Sequence, residues 1–154
     1  MIDPDKIFEK EKKNRISSYK NSQLKKLSNN WLKFSLKEKY QYNFAWMGRP
    51  IIQYPGDIMA VQELIYKLKP DLVIETGIAH GGSLILSASM LSLLDLEESI
   101  RRKKKYDPLK SKRLVLGVDI DIRKHNKKAI KSHPMFNYIE MIEGSSVNLE
   151  IVNK

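Results

Sequence analysis

Between Leu72 and Ser83 the chain reads Leu-Val-Ile-Glu-Thr-Gly-Ile-Ala-His-Gly-Gly-Ser, an apolar run that ends in an acid and a glycine-rich bend before an apolar helix begins. A short apolar run that feeds a helix through glycines reads as a buried strand opening a βαβ unit. Gly77, Gly81 and Gly82 remove side chains where backbone would approach a ligand, and Glu75 at the strand's carboxyl end can accept hydrogen bonds from a hydroxyl or a cation. The acid decides the ligand class. A bend that holds a diphosphate uses its glycines and helix N-terminus for anions, and a carboxylate two residues before the first glycine repels them. S-adenosylmethionine fits better, because its sulfonium and ammonium are cationic where NAD and FAD carry a diphosphate.

The flanking sequence extends this unit in both directions. Residues 5 to 30 are lysine-rich, with Ile7, Phe8, Ile16, Tyr19, Leu24 and Leu27 spaced for one or two amphipathic helices. Trp31 to Gly56 reads as an ordered aromatic loop punctuated by Gly48, Pro50, Pro55 and Gly56. Asp57 is placed to cap a helix carrying Ile58, Val61, Leu64, Ile65 and Leu68 on one face, stopped by Pro70, with its stripe against a sheet. Ser83 to Leu96 forms an apolar helix whose Ser and Ala residues allow close packing on the first strand, and Glu97 to Arg113 is a charged segment that prolongs the helix and then loops past Pro108 as a solvated excursion. Leu114 to Val118 and Tyr138 to Ile142 are further strands, separated by a basic helix from Arg123 to Ser132 that stops at Pro134. Asn148 caps a last helix. Strands alternating with helices predict a parallel α/β sheet, a Rossmann-like fold with about three strands present. Residues 1–45 form a basic helical cap and 46–154 the cofactor-binding domain.

In such sheets ligands bind beyond the carboxyl ends of the strands. The first strand ends with Glu75 and the glycines, the second with Asp119, and the third with Gly144, Ser145 and Ser146. Asp119 is expected to accept both ribose hydroxyls, since two carboxylate oxygens match a vicinal diol. Asp121 could share that role or hold Arg123, and Gly144 to Ser146 would flank the adenine. His80 could bond a ligand or be simply solvated, while His125 and His133 read as structural. No His-x-Asp or His-x-Glu pair is present, so an iron oxygenase has no ligand set.

Composition narrows the alternatives. With 154 residues and no cysteine, the chain is one domain without disulfides, thiolate zinc sites or a cysteine nucleophile, which suits a reducing cytoplasm. No stretch approaches a membrane span. The formal net charge of +10 raises a nucleic-acid partner, but its lysines are dispersed without interleaved aromatics, which disfavours one. The alternative to an enzyme is a non-catalytic remnant acting as a basic partner- or nucleic-acid-binding module.

Four runs in order, Trp46 to Asp57, Ile74 to Leu84, Gly117 to Arg123 and Ile142 to Ser146, resemble the cephalosporin hydroxylase family, whose members look like S-adenosylmethionine-dependent class I methyltransferases and include rhamnosyl O-methyltransferases. The resemblance implies cofactor contacts at Glu75, Gly77, Ala79, His80, Gly81, Gly82, Ser83, Asp119, Gly144, Ser145 and Ser146, to which the strand-end reading adds Asp121. Ala79 stands where many such enzymes have a second glycine. It also implies O-methylation of a hydroxyl on a sugar or small metabolite, with a divalent metal such as magnesium held by a more C-terminal, aspartate-rich region. This chain ends before such a region, so the resemblance covers an N-terminal half. The first strand of a doubly wound sheet has neighbours on both sides, and here a missing C-terminal half or a second copy would have to supply one.

Overall fold

The computed structural model describes residues 3–19 and 22–153. The chain divides into two compact units, Met1–Tyr40 and Gln41–Lys154. In the first, α1 spans Pro4–Tyr19 and α2 spans Gln23–Lys37. The Ser22 hydroxyl caps α2 by accepting from the Lys25 amide at 3.3 Å. Helix α1 has no buried residue, and the apolar residues Leu24, Leu27, Trp31 and Phe34 of α2 are exposed.

The expected aromatic loop over residues 31–56 is replaced by regular structure. Trp31 and Phe34 lie on α2, and Phe44–Trp46 (β1) and Arg49–Ile51 (β2) form an antiparallel hairpin. Met47 and Gly48 close it with φ of 45° and 82°. Trp46 packs against the core and its indole N–H donates to Ser89 Oγ at 3.1 Å. Next, α3 runs Pro55–Leu68. Pro55, with its preset φ and no amide to leave unpaired, starts the helix, so Asp57 lies inside the first turn and is not the cap. Only part of the predicted stripe faces inward: Ile65 is buried, whereas Leu64 and Leu68 are exposed.

The main sheet is parallel, in the order β3–β4–β5, formed by Leu72–Thr76, Leu114–Asp119 and Ile139–Glu143. Helix α4, Gly82–Arg101, is the longest element and buries nine residues including Leu84, Ile85, Ala88 and Leu91. It packs on β4, the hairpin and α3 rather than chiefly on β3 as its small residues suggested. Helix α5, Lys124–Lys131, follows β4, and a 3-10 turn Pro134–Tyr138 leads into β5. Asn148 caps α6, Leu149–Val152, by accepting from the Glu150 amide at 2.9 Å.

Register assigns the two faces of the sheet. Val73, Val115 and Ile139 are paired in register and pack in the core beneath α4. Alternation therefore puts Leu72, Ile74, Leu114, Leu116 and Ile142 on the opposite face. Leu72 and Ile74 there are 48% and 62% exposed. β4 is central among the three strands and β3 is an edge, so the expected second neighbour of the first strand is not among the described residues.

A polar network closes the end of the sheet away from the glycine bend. Asp95, on α4, accepts from Arg113 Nε at 2.9 Å, Ser111 Oγ at 2.6 Å and the Tyr138 hydroxyl at 2.8 Å. Arg113 also donates to the carbonyl of Pro70 at 2.9 Å, tying α4 to the start of β3. Burial and the bonds to Tyr106 and Asp95 push the Tyr138 hydroxyl pKa up, keeping it a donor. The side chains of Arg113 and Asp95 are 12% and 18% exposed; without Asp95, Arg113 keeps Asp71 and Glu98 at 3.1 and 3.4 Å, but the Tyr138 hydroxyl, in a residue 1% exposed, loses its anionic acceptor. Asp95→Ala is expected to lower unfolding free energy by about 2 kcal/mol in a urea titration with unchanged m value, and a loss below about 0.5 kcal/mol would contradict this account.

Candidate cofactor site

The glycine bend, residues 77–81, sits between β3 and α4 and is held from three directions. From β4, Asp119 Oδ2 accepts the amides of Ile78 at 2.6 Å and Ala79 at 3.3 Å, while Oδ1 accepts the amide of Asp121 at 3.2 Å. Burial disfavours the Asp119 charge, but the backbone amides of Ile78, Asp121, Ala79 and Ile120 outweigh it and hold the pKa below its ordinary value. From α5, Asn126 Nδ2 donates to the Ala79 carbonyl at 2.8 Å. From β2, Arg49 directs Nε and Nη2 at the His80 carbonyl, 3.0 and 2.6 Å away, and Nη2 also reaches Asn126 Oδ1 at 3.2 Å.

Packing as well as backbone conformation calls for glycine at two of these positions. A Cβ at Gly82 would collide with the Pro50 carbonyl and the Ile51 side chain, so the hairpin lies directly on the helix start. One at Gly81 would strike Ile130 of α5. Gly77 differs: a Cβ there would meet open space, and its φ of 89° is what calls for glycine. Gly144 at the end of β5, with φ of 155°, leaves room for Ile151, and its amide donates to the Asp119 carbonyl at 2.8 Å.

Two cavities flank the bend. A cleft of about 400 Å³ is lined by Gln53, Glu75, Gly77, Ala79, His80 and Ser83 among others. A polar cavity of about 450 Å³ is lined by Tyr42, His80, Asp119, Asp121, Arg123 and Asn126. The structure therefore brings Glu75, Gly77, Ala79, His80, Gly81, Gly82 and Ser83 together in the first, with Asp119 and Asp121 in the second. Ser145 and Ser146 line neither cavity. No ion pair joins Asp121 to Arg123 among the described residues. His133 is structural: Nδ1 accepts the Met135 amide at 3.1 Å, and Nε2 lies 3.0 Å from the Met47 carbonyl.

Glu75 carries the site's electrostatics. Its carboxylate accepts a hydrogen bond from the Ser83 hydroxyl in the first turn of α4. Burial pushes its pKa up to about 6, against the lowering effect of that bond. Arg49 and Gln53 lie in the run from Trp46 to Asp57 that carries the family resemblance, but nothing in their spacing marks a role, and Asn126 lies in none of the four runs. Arg49 and Asn126 act across 31 and 47 residues of chain on His80 and Ala79, beyond any local pattern. The Gln53 Oε1 atom is buried without a hydrogen-bond partner.

A parallel sheet with polar groups gathered at its carboxyl ends defines a Rossmann-like α/β protein. The chain belongs to the rhamnosyl O-methyltransferase/CmcI family, whose model matches residues 38–154. No curated protein matches it significantly. Among solved structures it is similar to one described as "cmcI-N160 SAH", at 17% identity with a TM-score of 0.44 over 66% of this chain. The chain spans 43% of the length of that protein. No described helix is long and apolar enough to cross a membrane.

Two outcomes follow for stability. Gly82→Ala forces backbone apart and is expected to cost about 3 kcal/mol in denaturant titrations, against about 1 kcal/mol for Gly77→Ala, where only the backbone conformation is strained; equal costs would contradict the packing role. Glu75 binds its proton more tightly folded, at about 6, than at its ordinary 4.5, so its contribution to stability is full below 4.5 and is lost as pH rises to about 6. Glu75→Gln should flatten the stability profile across that window and match or exceed wild-type stability at neutral pH; a retained slope would assign the titration to another group.

Proposed function

We propose that this chain carries the S-adenosylmethionine-binding half of an O-methyltransferase that acts on a hydroxyl of a sugar or small metabolite. The observation that carries the reading is Glu75: a half-buried carboxylate in the wall of the cleft, at the carboxyl end of a parallel strand, beside a helix N-terminus. A dinucleotide would bring a diphosphate against that charge, whereas an adenosyl amino acid brings a sulfonium and an ammonium. Its carboxylate has a place at the first amides of α4, which have no side-chain cap. The unpartnered Gln53 oxygen in the same cleft suits a ligand N–H donor.

The ribose diol belongs at the second cavity. Asp119 accepts three backbone amides, which take most of the roughly four lone-pair sites of a carboxylate. Asp121, whose side chain has no hydrogen bond among the described residues, therefore takes a share of the hydroxyls in this reading. Ser145 and Ser146 are assigned to the adenine edge on the strength of the strand order. His80, which lines both cavities, is assigned a ligand contact.

The bound cofactor supplies an electrophilic methyl group. This chain's residues bind and orient it, which shortens the approach of an acceptor oxygen. No described residue is assigned as the general base, and a divalent metal enters only through the family. The unpaired edge of β3, with Leu72 and Ile74 exposed on it, supports completion of the sheet by further polypeptide, either a C-terminal half or a second copy. Residues 1–45 are taken as a basic helical segment preceding the cofactor-binding domain, and the cysteine-free composition as suited to the cytoplasm.

Isothermal titration with S-adenosylmethionine tests the reading. Affinity is expected to fall about tenfold per pH unit below about 6, as Glu75 takes up its proton. That dependence should vanish in Glu75→Gln. Absence of binding at neutral pH would overturn the proposal.

A further inference from the structure

The clamp on the glycine bend points to a function for two residues that lie outside the bend. We propose that Arg49 and Asn126 are positioning residues for the cofactor: they fix the Ala79–His80 and His80–Gly81 peptide groups so that the bend is preformed for its ligand. The inference rests on the adenosyl-binding reading above.

The geometry runs through three segments of chain. Arg49 on β2 places two donors on one carbonyl, that of His80, and shares Nη2 with Asn126 Oδ1. That last bond fixes which end of the Asn126 amide is the acceptor, so Nδ2 faces the Ala79 carbonyl. Asn126 is 3% exposed and has no freedom to turn away. The C=O and N–H of a trans peptide point in opposite directions. Holding the Ala79 carbonyl toward α5 therefore turns the His80 N–H to the opposite side. The next amide, that of Gly81, is already spent on the Ile78 carbonyl at 2.8 Å.

A preformed bend of this kind has to be held. Ala79 adopts φ of 46°, a left-handed conformation that a residue with a Cβ keeps only where its surroundings over-determine it. Asp119 grips the amide side of residues 78 and 79, and the Arg49–Asn126 pair grips the carbonyl side of residues 79 and 80. Without the second grip the peptides are free to flip, and a ligand must then supply the ordering free energy itself. Arg49 lines neither cavity, so any effect of its removal on a ligand passes through the bend. Lysine cannot replace it, having one nitrogen where the guanidinium has a rigid fork.

The test compares the full chain with Arg49→Ala, Arg49→Lys and Asn126→Asp, reading S-adenosylhomocysteine affinity by calorimetry and amide hydrogen exchange by residue. Arg49→Ala is expected to bind about tenfold to a hundredfold more weakly. Exchange should quicken at residues 79–83 while β4 and β5 keep wild-type protection. Millimolar guanidinium should restore part of the affinity to Arg49→Ala, and Arg49→Lys should restore little. Asn126→Asp keeps the acceptor for Arg49 but loses the donor to Ala79, and should fall between wild type and Arg49→Ala. Unchanged affinity with unchanged exchange would overturn the proposal. So would a loss that tracks faster exchange throughout the unit and does not respond to guanidinium, since that marks a merely structural role. If the wild-type chain binds no S-adenosylhomocysteine, the cofactor reading fails; the clamp then stands or falls on whether exchange in Arg49→Ala quickens only at residues 79–83.

Discussion

The carboxylate of Asp119 is the tie on which the rest of the site depends. It ends the central strand and accepts the amides of Ile78 and Ala79, so that the bend after β3 is measured against β4 and not left to its own flexibility. Because the charge is held by backbone donors, it persists to lower pH than an ordinary aspartate. Glu75 is in the opposite condition. It lies one strand over, on the α4 side of the sheet, with a single hydroxyl partner, and burial makes its charge costly. Two acids at neighbouring strand ends thus sit in opposite electrostatic conditions: one is satisfied by backbone amides, the other has one hydroxyl partner and a charge that burial disfavours.

Packing explains why the bend has the sequence it has. The β1–β2 hairpin lies on the first turn of α4 and Ile130 of α5 lies on Gly81, so the bend is enclosed by elements from both sides of it in sequence. The same hairpin carries Arg49 and places Trp46 on Ser89. The other face of the sheet is different, presenting Leu72 and Ile74 to solvent along an edge strand that has no proline, bulge or lysine to guard it.

What the sequence made legible was local. The apolar run at 72–74, the acid and glycines after it, the stop at Pro134 and the cap at Asn148 each rest on a few adjacent residues, and each appears in the structure. The misread features have several causes, some local and some distant in sequence. Asp57 looked like a cap because Pro55 two residues earlier was read as loop punctuation. The hairpin at 44–51 was hidden because strands of three residues leave no alternation to detect. The packing demand at Gly81 and Gly82 comes from Ile130 and Pro50, which no local reading of the bend includes. The role of Arg49 and Asn126 was not legible because they act on carbonyls, which every residue has, and on each other across 77 residues.

The central claim is that the cleft beside Glu75 accepts a cationic adenosyl ligand in preference to a diphosphate-bearing one. Its most direct test is nuclear magnetic resonance mapping of backbone amides at neutral pH with S-adenosylmethionine and, separately, NADH. The account predicts that S-adenosylmethionine shifts the amides of Gly77, His80 and Ser83 while NADH leaves them in place. Saturable shifts of those same amides by NADH, with none from S-adenosylmethionine, would contradict it.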